Sequence, residues 1–386
     1  MAEDNRRFDV LGLILVLLGL AYAGFAIYWG TNTEWSPHTD YYIHQILNHS
    51  GNYVAMFPAE KGLQAIVELD KKYAYVKISP EGLITRAYLL PEMNLAATAY
   101  MRDSVYLLSV SGKRISLFRV EPHSVKRFDY NLDLWSLHPT QILQQSDSLV
   151  FYLPGTWKDH FGIVRVDLSE INAPVARVFY DVPVSDLVRE QDTIYFQSTQ
   201  GFLHELSIRG KTATDYRILI RARPLSAHDD AVGVNAEKGA GYVTVNGNVA
   251  NAIILDGTYG GALVTDYGTF ISSNGQLYAV MGDDKNSLRV YRSTTPFLAY
   301  AYFHSPTEYA VLGTYASDPA YIHGTFDFPH CPKNFTAVDA NVTFVTAPVE
   351  RESTIRGVLT PINYDGNKDV PVTPVKLSVD FPCYSP

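Results

Sequence analysis

Residues 104–120, SVYLLSVSGKRISLFRV, decide how the rest of the chain is read. Two short runs rich in Val, Leu, Ile and Phe, Val105–Val110 and Ile115–Val120, flank a Ser-Gly-Lys turn. Runs of that length and composition are strands. The glycine supplies the positive φ that a tight hairpin requires. The same strand–turn–strand form recurs in TIYFQSTQGFLHELSI from Thr193 and in QLYAVMGDDKNSLRVYRS from Gln276.

Further runs of the same kind lie on either side, among them Tyr53–Phe57, Leu63–Leu69, Tyr73–Ile78, Leu149–Leu153, Gly162–Val166 and Tyr242–Val245. No long stretch after residue 50 carries a 3.6-residue apolar period, so this part is expected to be nearly all-β. An Asp followed by Ser or Thr opens a strand at Asp103, Asp147 and Asp192, positions 44 and 45 residues apart. A period in the forties with about four strands per unit is the mark of a β-propeller blade. Residues 51–325 would then hold about six blades. The alternative is a pair of β-sandwiches, which also space strands evenly. The chain resembles propellers in general. It has no Trp-Asp dipeptide, no sialidase box and no Tyr-Trp-Thr-Asp motif, so it resembles no named propeller family.

Residues 326–386 have another texture, rich in Pro, Val and Thr. Partial alternation in 341–346, 353–359 and 375–381 predicts a small C-terminal β-module or an extended β-appendage. Its ends carry the chain's 2 cysteines, Cys331 and Cys383, an expected disulfide in an oxidising compartment.

At the other end, Val10–Trp29 is a run of 20 residues without a charge. As a helix it spans roughly 30 Å, the thickness of a hydrocarbon core. Arg6 and Arg7 precede it, whereas Glu34 and Asp40 follow it with no Lys or Arg before Lys61. The excess of cations on one side predicts a single-pass anchor with residues 1–9 in the cytoplasm and the bulk on the periplasmic or extracellular side. Tyr28, Trp29 and Trp35 are placed for the far interface. Gly12, Gly19, Ala23 and Ala26 could line a helix-packing face. Ala21-Tyr22-Ala23 looks like a signal-peptide cleavage site, but the apolar run continues six residues beyond Ala23. Residues 30–50 read as a linker with room for one short helix.

Composition closes off several classes. The 386 residues are 47% hydrophobic and 18% charged, which excludes a disordered chain. A net charge of −9 argues against nucleic acid as a partner. Two cysteines cannot build an all-cysteine zinc or iron–sulfur centre. There is no HExxH, no CxxCH, no phosphate-binding GxxxxGK[ST] and no GxSxG. His330-Cys331 pairs a thiol with an imidazole, but neighbours on a strand point to opposite faces. Asp365–Asp369 mimics a calcium loop, yet Val370 and Lys376 stand where that loop needs Gly and Glu, so a turn is expected. His228-Asp229-Asp230 and Gly282–Asn286 also read as polar turns, and Gly257–Gly261 as a turn rather than a phosphate cradle. Sequons occur at Asn48, Asn334 and Asn341.

No catalytic residue, metal site or cofactor is therefore expected. The predicted function is that of a membrane-anchored accessory subunit whose propeller docks on and stabilises an integral membrane protein complex, a photosynthetic or respiratory assembly being one form of host. The alternatives are a ligand-binding or sensing propeller and a propeller enzyme, a hydrolase or dehydrogenase.

Overall fold

The computed structural model describes residues 41–46, 51–58, 63–69, 72–78, 84–121, 124–132, 136–137, 144–157, 160–179, 184, 186–257, 261–265, 268–273, 276–282, 285–293, 298–304, 308–315, 318–325, 335–374 and 379–380. The expected membrane helix 10–29, with Arg6, Arg7, Trp35 and the helix-face residues, lies outside this set, as do Cys331 and Cys383. Among the described residues no helix is long and apolar enough to cross a membrane.

The chain builds antiparallel meanders one after another. After β1 (Tyr41–Ile46), the first meander is β2 (Gly51–Pro58), β3 (Leu63–Leu69), β4 (Lys72–Ile78) and β5 (Ile84–Leu89). The second is β6 (Leu95–Met101), β7 (Ser104–Ser111), β8 (Arg114–Val120) and β9 (Ser124–Asn131). The third holds β10 (Ser136–Leu137), β12 (Val150–Trp157), β13 (His160–Asp167) and β14 (Val175–Phe179), while β11 (Gln144–Ser146) pairs back, in parallel, with β6. Next come β15 (Leu187–Glu190), β16 (Thr193–Gln197), β17 (Phe202–Arg209) and β18 (Thr212–His228). The 17-residue β18 ends this fourth meander with its first half and starts the fifth with its second half. The fifth continues through β19 (Ala231–Ala236), β20 (Gly239–Asn246) and β21 (Val249–Asp256). The sixth is β22 (Ala262–Thr265), β23 (Gly268–Ser273), β24 (Gln276–Met281) and β25 (Arg289–Ser293). The seventh, β26 (Leu298–His304), β27 (Glu308–Tyr315) and β28 (Asp318–Thr325), takes its fourth strand from the other end of the chain, with β1 antiparallel to β28 and Tyr41 opposite Gly324.

These meanders close into a propeller-like ring. The initial strands touch in succession, β15 on β18, β18 on β22, β22 on β26 and β26 on β2. Each neighbouring pair from the first blade to the sixth also shares an apolar core, because strand alternation sends successive side chains to opposite faces. On β7 and β8, Leu107 and Phe118 face the first blade with Tyr75 and Tyr88, whereas Leu108 and Leu117 face the third with Phe151 and Val164. Tyr152, Phe179 and Ile194 join the third and fourth, Leu203, Val234 and Val243 the fourth and fifth, and Tyr242, Ile271 and Val280 the fifth and sixth. Tyrosine suits such interfaces because its ring packs and its hydroxyl finds an acceptor. Tyr75 stacks on Tyr88 at 6.3 Å and donates to Gln64 Oε1 at 2.6 Å, and burial pushes its hydroxyl up to about 12.

The described ring holds seven blades, one more than the sequence suggested. Asp103 and Asp192 do mark equivalent turns, each between the first and second strands of a blade, and Asp147 lies between β11 and the second strand of the third blade. They sample the longer blades, however. The next such turn, at Asp229-Asp230, comes sooner, and the last blade borrows β1. That borrowing also corrects the linker 30–50, part of which is a strand rather than a helix.

The C-terminal residues form no sheet of their own among those described. They take the appendage form rather than the module form. β29 (Phe335–Ala337) pairs with β25. The 15-residue β30 (Val342–Arg356) pairs with β21 and then with β18. β31 (Val358–Pro361) follows on β14, β32 (Asn363–Pro371) on β9, β33 (Thr373–Pro374) on β5 and β34 (Val379–Asp380) on β1. The tail thus visits the blades in reverse order and adds an outer strand to every one. Asp365–Asp369 lies inside β32 at a bulge, with Gly366 at φ 114°, and not in the expected turn.

Candidate functional site

Two polar regions stand out, at opposite ends of the strands. The first grows from the hairpin β7–β8. Gly112 adopts φ 57° at its turn, which sets Ser111 opposite Arg114, Ser109 opposite Ser116 and Leu107 opposite Phe118. Period-two alternation puts all of these on the face of the second blade that looks toward the first. The apolar members close the core there. Beyond them the polar members line a cleft of about 410 Å³, together with Glu92, Met93 and Asn94 from the β5–β6 connection.

Its walls are fixed by hydrogen bonds. Asn94 N–H donates to Ser109 Oγ at 3.0 Å, and its Nδ2 donates to the Val110 carbonyl at 3.0 Å. Ser116 Oγ donates to Asp129 Oδ1 at 2.7 Å, and Arg127 Nε donates to the same oxygen at 2.6 Å. The Arg127 guanidinium also lies 5.5 Å from the Phe118 ring centroid, a cation–π distance. Arg127 is held on both sides. The side chains of Arg114 and Glu92 are exposed and form no ion pair or hydrogen bond with any described residue.

The second region lies at the turns between first and second strands of the third to fifth blades. Glu190 ends β15, His228 ends β18 and Asp229 follows it, with φ 50°. Their donor atoms lie within 4.8 Å of one another, and His228 Nε2 is 3.8 Å from Asp229 Oδ2. Burial raises the Glu190 carboxyl above its usual range; Asp229 and Asp147 push it further up and His228 pulls it down. Glu205 is raised as well, by burial first and then by Asp230. An imidazole with two carboxylates can take a divalent cation. The sequence shows His228-Asp229-Asp230 but not Glu190, which lies 38 residues earlier and arrives through the packing of neighbouring blades.

No protein-family model and no curated protein matches the chain. Among solved structures it is similar to BamB from Moraxella catarrhalis, at 10% identity over 75% of this chain and 99% of that one, with a TM-score of 0.42. It is also similar to the β-propeller domain of Cps50 (Swd1) from Myceliophteria thermophila, at 13% identity over 73% and 100%, with a TM-score of 0.34. A third is PorZ, a surface component of the type-IX secretion system of Porphyromonas gingivalis, at 11% identity over 72% of this chain and 52% of that one, with a TM-score of 0.21. The propeller-like arrangement described above rests on this chain's own strand pairings.

Proposed function

We propose that this protein is a membrane-anchored, non-catalytic scaffold subunit whose exported propeller docks on a larger integral membrane complex, such as a photosynthetic or respiratory assembly. The observation that carries this reading is the C-terminal belt. Residues 335–374 and 379–380 are spent on covering the outer strand of each blade. The belt's own free edge is broken by Pro348, Pro361, Pro371 and Pro374 and charged by Glu350, Arg351, Glu352 and Arg356. Prolines lack the N–H that a new strand would need, and charges oppose its approach. Such a body resists edge-to-edge association and leaves its two turn-rich faces for a partner.

The charge-free run 10–29 supports the anchor, and Arg6 and Arg7 support a cytoplasmic N-terminus. Affinity purification of the full chain from its native membranes in mild detergent tests the reading. A stable assembly larger than the single chain, with a membrane subunit in fixed stoichiometry, is the expected result. Migration as a lone chain would sink it.

A further inference from the structure

The cleft lined by the second blade and the β5–β6 connection has no part in that reading. We propose that it is a binding site for a hydroxyl-rich organic anion, a ligand with the chemistry of a sugar acid.

The size and the lining of the cleft lead there. The volume of about 410 Å³ falls within the roughly 300–1,000 Å³ of ordinary small-ligand sites. Its wall carries two guanidinium groups in different states. Arg127 is locked by Asp129 and Phe118, so its charge is already in place before anything binds. Arg114 has no partner among the described residues and is free to close on a ligand. Guanidinium matches the planar, two-oxygen geometry of a carboxylate.

Glu92 decides which anion fits. A bare oxyanion would meet the two arginines and be repelled by this carboxylate, which has no side-chain partner among the described residues. A ligand that also carries hydroxyl groups turns Glu92 into an acceptor for them. Asn94, Ser109 and Ser111 extend the same neutral hydrogen-bonding surface. The apolar floor, Phe118 and Met93, is small, which disfavours a lipid chain.

The test is titration calorimetry on the full chain with sodium glucuronate, glucose and acetate. Glucuronate is expected to bind at least tenfold tighter than either of the others, because only it satisfies both the arginines and Glu92. Arg114→Ala should weaken glucuronate at least tenfold, and so should Ser111→Asp, which places a negative charge at the mouth. Both positions are exposed, and unchanged thermal melts would confirm intact folds. Arg209→Ala, at an exposed site on another blade, should leave binding unchanged. A digalacturonate arm separates a free sugar acid from the end of an acidic polysaccharide, since only the latter gains tenfold or more with the second ring. The proposal is overturned by no saturable glucuronate binding up to tens of millimolar, by acetate binding as tightly as glucuronate, or by indifference to both cleft variants.

Discussion

The blades and the belt are both β-structure, yet they are held by different forces. In β7 the burial pattern is nearly continuous, with Val105–Val110 shut between two neighbouring blades. In β30 only Ala347 and Val349 are buried, and most of its other side chains face water. Blade strands are fixed by apolar packing on both faces. The belt is fixed mainly by its backbone ladder, with small side-chain anchors such as Ile362 in the core between the second and third blades. The lesson is that cohesion within the ring and protection of its rim are supplied by separate stretches of chain.

The largest test of that division is removal of the belt. A chain ending at residue 334 leaves the outer strand of every blade with an unpaired edge. It is expected to lose its cooperative melt or to aggregate, read by scanning calorimetry and light scattering. Survival of a monomer with an unchanged melt would break the comparison, since the belt would then be mere trim. Next in size is Phe151→Ala, a fully buried ring between the second and third blades. Its expected cost is about 3–5 kcal/mol in urea unfolding. The belt counterpart, Leu359→Ala, is expected to fall within about 0.5 kcal/mol, because that side chain is 56% exposed.

Between these lies Glu205→Gln. The Glu205 carboxyl is raised by burial and by Asp230, so the folded state holds its proton more tightly than the unfolded chain does. Its contribution is therefore fully present below the unfolded carboxyl value and lost as pH rises through the folded one. This group should therefore add stability to the wild type as pH falls through its raised value. The variant should show a shallower dependence and, at pH 7, a gain in stability. A variant with the wild-type slope would remove Glu205 from the account. Smallest is Arg217→Met, which deletes the bridges from β18 to Glu350 at 2.6 Å and Glu352 at 2.8 Å on the belt. A slight fall in melting temperature that vanishes in high salt is expected.

The same division explains what could be read in advance. Leu63–Leu69 and Val105–Val110 announce themselves because packing on both faces demands a dense apolar run. The Asp103, Asp147 and Asp192 turns gave the phase of the blades, but only where blades are long. Belt pairing leaves no such mark. Val349 meets Ile218 and Val379 meets Ile46, across more than a hundred residues, through backbone groups that every residue has. The cleft is half legible. Ser109 and Ser116 are visible as polar positions within predicted strands and Arg114 at the edge of one, but the cavity depends on the turn of Glu92–Asn94 against them. Glu190 joins His228 by tertiary packing alone.

The belt is made only after every blade strand it covers. While a ribosome is still adding residues beyond 325, seven outer strands wait uncovered, and at roughly 5–20 residues per second they wait for several seconds. The strap cannot begin to pair until its own residues have left the exit tunnel, and it closes contacts of very high sequence separation, the slowest kind to form. Nascent chains of this protein should therefore be clients of chaperones that hold open sheet edges, until the belt has emerged and its circuit is laid down.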